Sequence, residues 1–124
     1  MTSCHFILRT DASEETGMGH FYRCLTLAKK IEQVGYNSHF VFKYVSERVI
    51  EILKQESISF EILPEGISWD EEIIILEKSA SQYQLRIVIL DNAHLKTFSN
   101  LEGFSGYTSS LSEIFKGIVL IDGY

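Results

Sequence analysis

The chain has 124 residues, 45% of them hydrophobic and 23% charged, which fits one modest globular domain. Its net charge of -6 argues against an anionic partner surface, so we expect neither nucleic acid nor an anionic membrane as partner. No apolar run approaches the roughly 20 residues needed to cross a bilayer, and no secretory signal is recognisable. Cys4 and Cys24 have no metal or disulfide pattern, which indicates reduced thiols and a cytoplasmic location.

The first elements are a strand and a helix joined by a glycine-containing turn. Residues 5–8 form a short apolar run that predicts a buried strand. The apolar spacing then becomes helical and ends before Gly35, a natural helix stop. The periodic positions are Phe21, Leu25, Ala28 and Ile31, with Cys24 alongside. Gly17 and Gly19 therefore lie where a ligand can approach the backbone.

His20 is the first titratable side chain of that helix. A helix N-terminus carries partial positive charge, so we expect the imidazole to stay neutral, which is the state that a general base needs. The alternative is a helix-start histidine that is satisfied by a backbone carbonyl. Spacing alone favours neither, because this turn lacks the third glycine of a dinucleotide fingerprint and the lysine of a P-loop.

The opening of the chain also carries a longer motif. It reads Arg9-x-Asp11-Ala12-Ser13, then Gly17-x-Gly19-His20-x-x-Arg23-Cys24-Leu25-x-Leu27-Ala28. This motif resembles the start of the UDP-2,4-diacetamido-2,4,6-trideoxy-β-L-altropyranose hydrolases of pseudaminic acid biosynthesis and of the related spore-coat polysaccharide proteins.

The resemblance implies a function and a domain organisation. The resembled family has a two-domain fold like that of GT-B glycosyltransferases. The resemblance therefore implies that residues 1–124 correspond to a single, truncated N-terminal Rossmann-like domain without the C-terminal nucleotide-binding domain. It also implies that His20 is the general base toward water that attacks the anomeric carbon and releases UDP. This scheme needs no metal or organic cofactor.

The middle of the chain alternates strands with helices. Residues 39–44 predict a second strand, and Ser46 is placed to cap a helix over 47–55. Three apolar residues then alternate with polar ones, which predicts a strand toward a sheet edge. These residues are Ile58, Phe60 and Ile62.

The second half continues this alternation. Ser68 and Glu71 form a capping box for a helix with one buried face. The repeating positions are Trp69, Ile73, Leu76, Ala80 and Tyr83. Residues 87–91 predict a central parallel strand, and residues 117–122 predict another central-type strand. Two weak helical patterns lie between them, at Leu95/Phe98/Leu101 and at Leu111/Ile114/Phe115.

This order predicts an α/β fold with a Rossmann-like parallel sheet and helices on both faces. The chain stops just past a central-type strand, a point that in the resembled family falls inside the N-terminal domain of the GT-B-like fold. We therefore interpret the chain as a fragment or a truncated relative of that family. A truncated sheet leaves an unpaired edge strand, from which we expect self-association.

Polar residues that follow strand ends should gather at one sheet edge, where open α/β sheets bind ligands. Asp11 either binds a sugar hydroxyl or orients His20, or it holds its own loop as an Asx-turn residue. Arg23 shares a helix face with His20. It either contacts a phosphate or a carboxylate partner of the site, or it is a solvated or ion-paired arginine. The substrate-binding candidates are Asp11, Gly17, Met18, Gly19, Arg23 and Asp91.

Two positions depart from the resembled family. Its members carry an aromatic residue soon after the acidic residue at Asp91, where this chain has Ala93, and His94 is a candidate substitute. They also carry paired aspartates where this chain has Asp122-Gly123. His5 and His39 lie at the opposite end of the sheet and receive no role.

Two other classes of function stay open. A metal hydrolase could use histidines and carboxylates at strand ends, but no ligand pair has helix-face spacing. A non-catalytic relative could bind a nucleotide-sugar or a partner chain without turnover.

Overall fold

The computed structural model describes residues 4–12, 18–91 and 101–121. These ranges contain five strands and four helices, which alternate along most of the chain. The strands are β1 (Cys4–Arg9), β2 (Asn37–Phe42), β3 (Ser59–Ile62), β4 (Leu85–Asp91) and β5 (Gly117–Ile121). The helices are α1 (Met18–Gln33), α2 (Glu47–Gln55), α3 (Trp69–Ala80) and α4 (Leu101–Ile114). No helix within these ranges is long and apolar enough to cross a bilayer.

The strands form one parallel sheet in the order β3-β2-β1-β4-β5. β1 lies in its centre, with Ile7 beside His39 of β2 on one side and Val88 of β4 on the other. Each helix follows one strand and precedes the next, as parallel crossovers require. The Rossmann-like α/β fold that the sequence predicts is therefore present.

Two apolar layers cover the two faces of the sheet. Successive β1 residues alternate between them, so Leu8 packs in the layer of α1 and α2 while Ile7 packs in the layer of α3 and α4. Phe21 and Leu53 fill the first layer, and Leu76 and Leu111 fill the second. Because each fully buried side chain of this size contributes about 1.5–3 kcal/mol, both layers stabilise the central strands.

The helix boundaries follow the signals in the sequence. Gly35 adopts a φ of +93°, and the N–H of Tyr36 donates to the carbonyl of Ile31 at 3.2 Å, which closes α1 in a left-handed turn. Ser46 and Ser68 accept N–H donors from the first turns of α2 and α3. The predicted stop and both predicted caps are confirmed.

Three sequence-based predictions need correction. β2 begins at Asn37 and ends at Phe42, before Tyr44. α3 ends at Ala80, so Tyr83 lies beyond it and stacks on His5 with ring centroids 4.1 Å apart. The pattern at 111–115 belongs to the longer helix α4, while most of the pattern at 95–101 lies outside the described residues.

The position of β5 in the sheet also differs from the sequence-based prediction. It is an edge strand among the described strands, although its apolar run predicts a central one. Val119 and Leu120 are 45% and 52% exposed. An apolar run indicates the capacity for burial on both faces, but it does not specify the neighbours that provide it.

Candidate functional site

The carboxyl edge of the sheet has a topological switch point between β1 and β4. From β1 the chain continues through α1 to β2 on one side, and it later returns on the other side as β4. Open α/β sheets bind ligands in the crevice at such a point. Asp11, the start of α1 and the backbone of Asp91 belong to this edge, as predicted. The candidates Gly17, His94 and Asp122 lie outside the described residues.

The start of α1 differs in one respect from the expected turn. The helix already begins at Met18, so Gly19 and His20 both lie in its first turn. Gly19 is exposed, and a Cβ built on it meets no described atom within 4 Å. Protein packing within the described ranges does not require a glycine here. What this glycine provides is open space beside the main chain at a helix N-terminus, where backbone N–H groups attract anions.

His20 and Arg23 contact each other on one face of α1, which confirms the predicted shared face. The Nη2 of Arg23 lies 3.1 Å from the Nδ1 of His20, and both residues are half-buried. A guanidinium carries donors only, so the imidazole nitrogen must be the acceptor. The ring nitrogen that faces Arg23 therefore carries no proton in this arrangement.

Asp11 holds its surrounding loops together. Its side chain is 1% exposed, and its Oδ1 accepts hydrogen bonds from Arg9 Nη1 at 3.0 Å and from the backbone N–H groups of Lys43 and Tyr44 at 2.9 and 3.1 Å. These contacts tie the end of β1 to the loop after β2. Of the predicted roles for Asp11, the loop-holding one accounts for these contacts. Oδ2 has no hydrogen-bond partner within the described ranges, and a direct contact with ligand stays a prediction.

A buried ionic network lies behind Asp11. Arg9 is 0% exposed and donates through Nη2 to Oε1 of Glu72 at 3.0 Å. The hydroxyl of Tyr107 donates to Oε2 of the same carboxylate. The network therefore joins the end of β1 to α3 and α4.

The pKa values of this network follow from its burial and charges. Burial by itself would lower the pKa of Arg9, but the carboxylates of Glu72 and Asp11 outweigh it and raise that pKa. Burial raises the pKa of Tyr107, and the charge of Glu72 raises it further. Arg9 is thus charged and Tyr107 protonated at any ordinary pH.

The site residues predicted from the sequence do not include Glu72 or Tyr107, and Arg9 is named there only as part of the motif. One signal for Glu72 is available in the sequence. It lies four residues before Leu76, on the apolar face of α3, where an unpaired carboxylate would be costly. Arg9 likewise ends a strand that is buried along most of its length.

Lys43 adds a positive charge at the carboxyl end of β2. Its Nζ lies 5.4 Å from the ring centroid of Trp69 and 5.8 Å from that of Tyr44. The ring of Trp69 packs edge-on against Tyr107 at 5.4 Å. Lys43 therefore lies beside the buried network, and its backbone N–H donates to Asp11.

Asp91 ends β4 as predicted, and its backbone pairs with Ile121 of β5. Within the part of the chain that the structure describes, no group of three or more His, Cys, Asp or Glu side chains is arranged to hold a metal ion. Cys4 and Cys24 are both buried and form no disulfide, and burial raises the pKa of the Cys4 thiol.

A separate polar cluster lies toward the amino ends of the strands. His39 contacts Ser59 through Nδ1 at 2.5 Å and Glu61 through Nε2 at 3.0 Å. Ser79 donates to the same carboxylate, and the hydrogen bond from His39 lowers the pKa of Glu61. This cluster joins β2, β3 and α3 and is not part of the carboxyl edge.

Comparison with known proteins shows the fold and no family. No family model matches the sequence, and no curated protein is significantly similar to it. The crystal structure of Acinetobacter baumannii MurG is similar, with a TM-score of 0.52 and 13% sequence identity. The similarity covers 97% of this chain and 42% of that one, so the chain spans about two fifths of the length of the MurG structure. MurG has a GT-B fold, and the sheet described above is consistent with a Rossmann-like part of such a fold.

Proposed function

We propose that this chain is the N-terminal Rossmann-like part of a nucleotide-sugar hydrolase that acts in pseudaminic-acid-type surface polysaccharide biosynthesis. The substrate is a UDP-diacetamido-trideoxy sugar. Water attacks its anomeric carbon, the bond to the diphosphate breaks, and UDP leaves. The basis for this substrate is the resemblance of residues 9–28 to that family.

The observation that carries the proposal is the His20–Arg23 pair at the start of α1. The pair lies in the first two turns of the helix that follows the central strand, beside the switch point between β1 and β4. A titratable imidazole and a guanidinium are the groups needed to activate water and to bind a diphosphate. The buried network of Arg9, Asp11 and Glu72 supports the strand end next to this helix.

The chain has a net charge of -6, so an anionic substrate needs local donors. Main-chain groups of Gly17, Met18 and Gly19 would approach the sugar and diphosphate at the helix N-terminus. Arg23 would contact phosphate oxygens, and Asp91 a sugar hydroxyl. Asp11 would act mainly by holding the loops that flank the crevice.

Binding of UDP tests the position of this site. In Gly19→Leu, a side chain would occupy the open space beside the helix N-terminus, and we expect UDP to bind at least about tenfold more weakly, a loss of about 1.4 kcal/mol. Gly106→Leu is the matched control, because Gly106 is also an exposed helical glycine with no described atom near its Cβ position. Equal UDP affinity of the two variants by calorimetry would contradict the proposed site.

A non-catalytic relative that binds a nucleotide-sugar or a partner chain is the second candidate. The observation that favours it is the sequence after β4, where Ala93 replaces the aromatic residue of the resembled family. Binding of UDP-sugar without turnover by the folded protein would select this candidate. For either function we propose a cytoplasmic location, in line with two buried, reduced cysteines.

A further inference from the structure

We propose that Arg23 controls when His20 can act as a base. In the structure Arg23 occupies the acceptor nitrogen of the imidazole, and an anionic diphosphate would release that nitrogen by drawing the guanidinium away. This inference rests on the proposed function and adds to it a positioning role for Arg23.

The lone pairs of the imidazole limit what His20 can accept. A neutral imidazole has one protonated nitrogen and one acceptor nitrogen, and a guanidinium can only donate. Since Arg23 Nη2 lies 3.1 Å from His20 Nδ1, Nδ1 is the acceptor and the ring proton is on Nε2. The lone pair that would take a proton from water is therefore the one that Arg23 already uses.

A phosphate group is the competitor that can remove Arg23. Guanidinium–phosphate contacts are charge-assisted and bidentate, and hydrogen bonds of this kind are roughly twice as strong as those between neutral groups. Arg23 and His20 are half-buried, so each side chain is partly exposed to solvent. The N-terminus of α1 attracts the same anion to the same place, because His20 lies in its first turn.

The hydrolytic step then balances in atoms and charge. Nδ1 of His20 takes a proton from water while the water oxygen bonds to the anomeric carbon. The bond from that carbon to the diphosphate oxygen breaks, and its electron pair leaves with UDP. Arg23 stays on the diphosphate, and the imidazolium returns its proton to solvent. Water is consequently activated only while a diphosphate holds Arg23.

Nitrogen NMR of the histidine rings tests the first half of the inference without any turnover. In ¹⁵N-labelled protein, with His20 assigned by its absence in His20→Asn, we expect an acceptor-type Nδ1 and a protonated Nε2. In Arg23→Met, which removes the donor and keeps an unbranched side chain, both nitrogens should shift toward the averaged values of mixed tautomers. Arg48→Met, at an exposed arginine of α2, should leave them unchanged.

Addition of UDP tests the second half. UDP should move Nδ1 of His20 toward the position of an acceptor without a donor, and uridine at the same concentration should not. A proton on Nδ1 in the ligand-free protein, or equal responses to UDP and uridine, would overturn the inference. Absence of hydrolysis with the expected ¹⁵N pattern would instead count against the proposed function alone.

Discussion

Arg9 and Glu72 are 63 positions apart in the sequence and form an ion pair of 3.0 Å in which both side chains are almost fully buried. Arg9 ends the central strand, and Glu72 lies in the first turn of α3. Asp11 provides the second carboxylate that pairs with Arg9. It also accepts a hydrogen bond from the backbone N–H of Lys43, in the loop after β2. The arrangement of the end of β1 and the loop after β2 therefore depends on charged side chains that are buried in the core.

Removal of one partner from this network should destabilise the protein strongly. We expect Glu72→Gln to lower the free energy of unfolding by about 3–5 kcal/mol, because it leaves the charge of Arg9 incompletely compensated in a buried position. Urea denaturation followed by circular dichroism measures this loss. Glu77→Gln, on the exposed side of the same helix, should change stability by less than about 0.5 kcal/mol. Similar midpoints for the two variants would contradict the structural role of the network.

His5 should make stability depend on pH. It is 5% exposed and stacks on Tyr83, and its ring nitrogens have no hydrogen-bond partner within the described ranges. Burial, followed by the charge of His39, lowers the pKa of His5 from 6.5 to about 4. The unfolded chain binds the proton more readily, so the contribution of His5 is complete above pH 6.5 and is lost as pH falls toward about 4.

The expected loss over this interval is about 3 kcal/mol, and His5→Phe should remove most of it because phenylalanine can stack on Tyr83 without titrating. His20→Asn, at the other edge of the sheet, should keep the pH dependence. Glu61 contributes in a separate window. Its lowered pKa gives stability that is present above the ordinary pKa of 4.5 and is lost as pH falls below that value. Urea midpoints between pH 7 and 4.5 that decline equally in His5→Phe and the unmodified protein would refute this assignment.

β5 should mediate self-association. Among the described strands none pairs with its outer edge, and Val119 and Leu120 are about half exposed. The opposite edge strand, β3, carries Glu61 and is followed by Pro64, which are features that discourage pairing. We expect a mass above that of a monomer in light scattering, reduced to the monomer mass by Val119→Lys. Ile62→Lys, at an exposed apolar position of β3, should leave the association intact. A monomer at all concentrations in the unmodified protein would contradict the prediction.

The fold was predictable because its signals are local. Apolar runs, helix-period spacing, the serine caps and Gly35 each act within a few residues, and together they define most elements and the parallel sheet. The pairing of Arg9 with Glu72 and Tyr107 was not predictable in the same way, because it depends on which helices cross the central strand. Likewise, the spacing of His20 and Arg23 indicates a shared face, but only the structure shows which ring nitrogen accepts the hydrogen bond.

The central claim is that His20 carries out hydrolysis of a UDP-amino-sugar. ¹H NMR of a panel of UDP-amino-sugars incubated with the protein follows the anomeric protons directly. We expect signals of free sugar and UDP with the unmodified chain, their loss in His20→Asn, and their retention in His39→Asn, which alters a histidine away from the carboxyl edge. Undiminished turnover in a folded His20→Asn variant, or no turnover by the folded unmodified chain, would contradict the account.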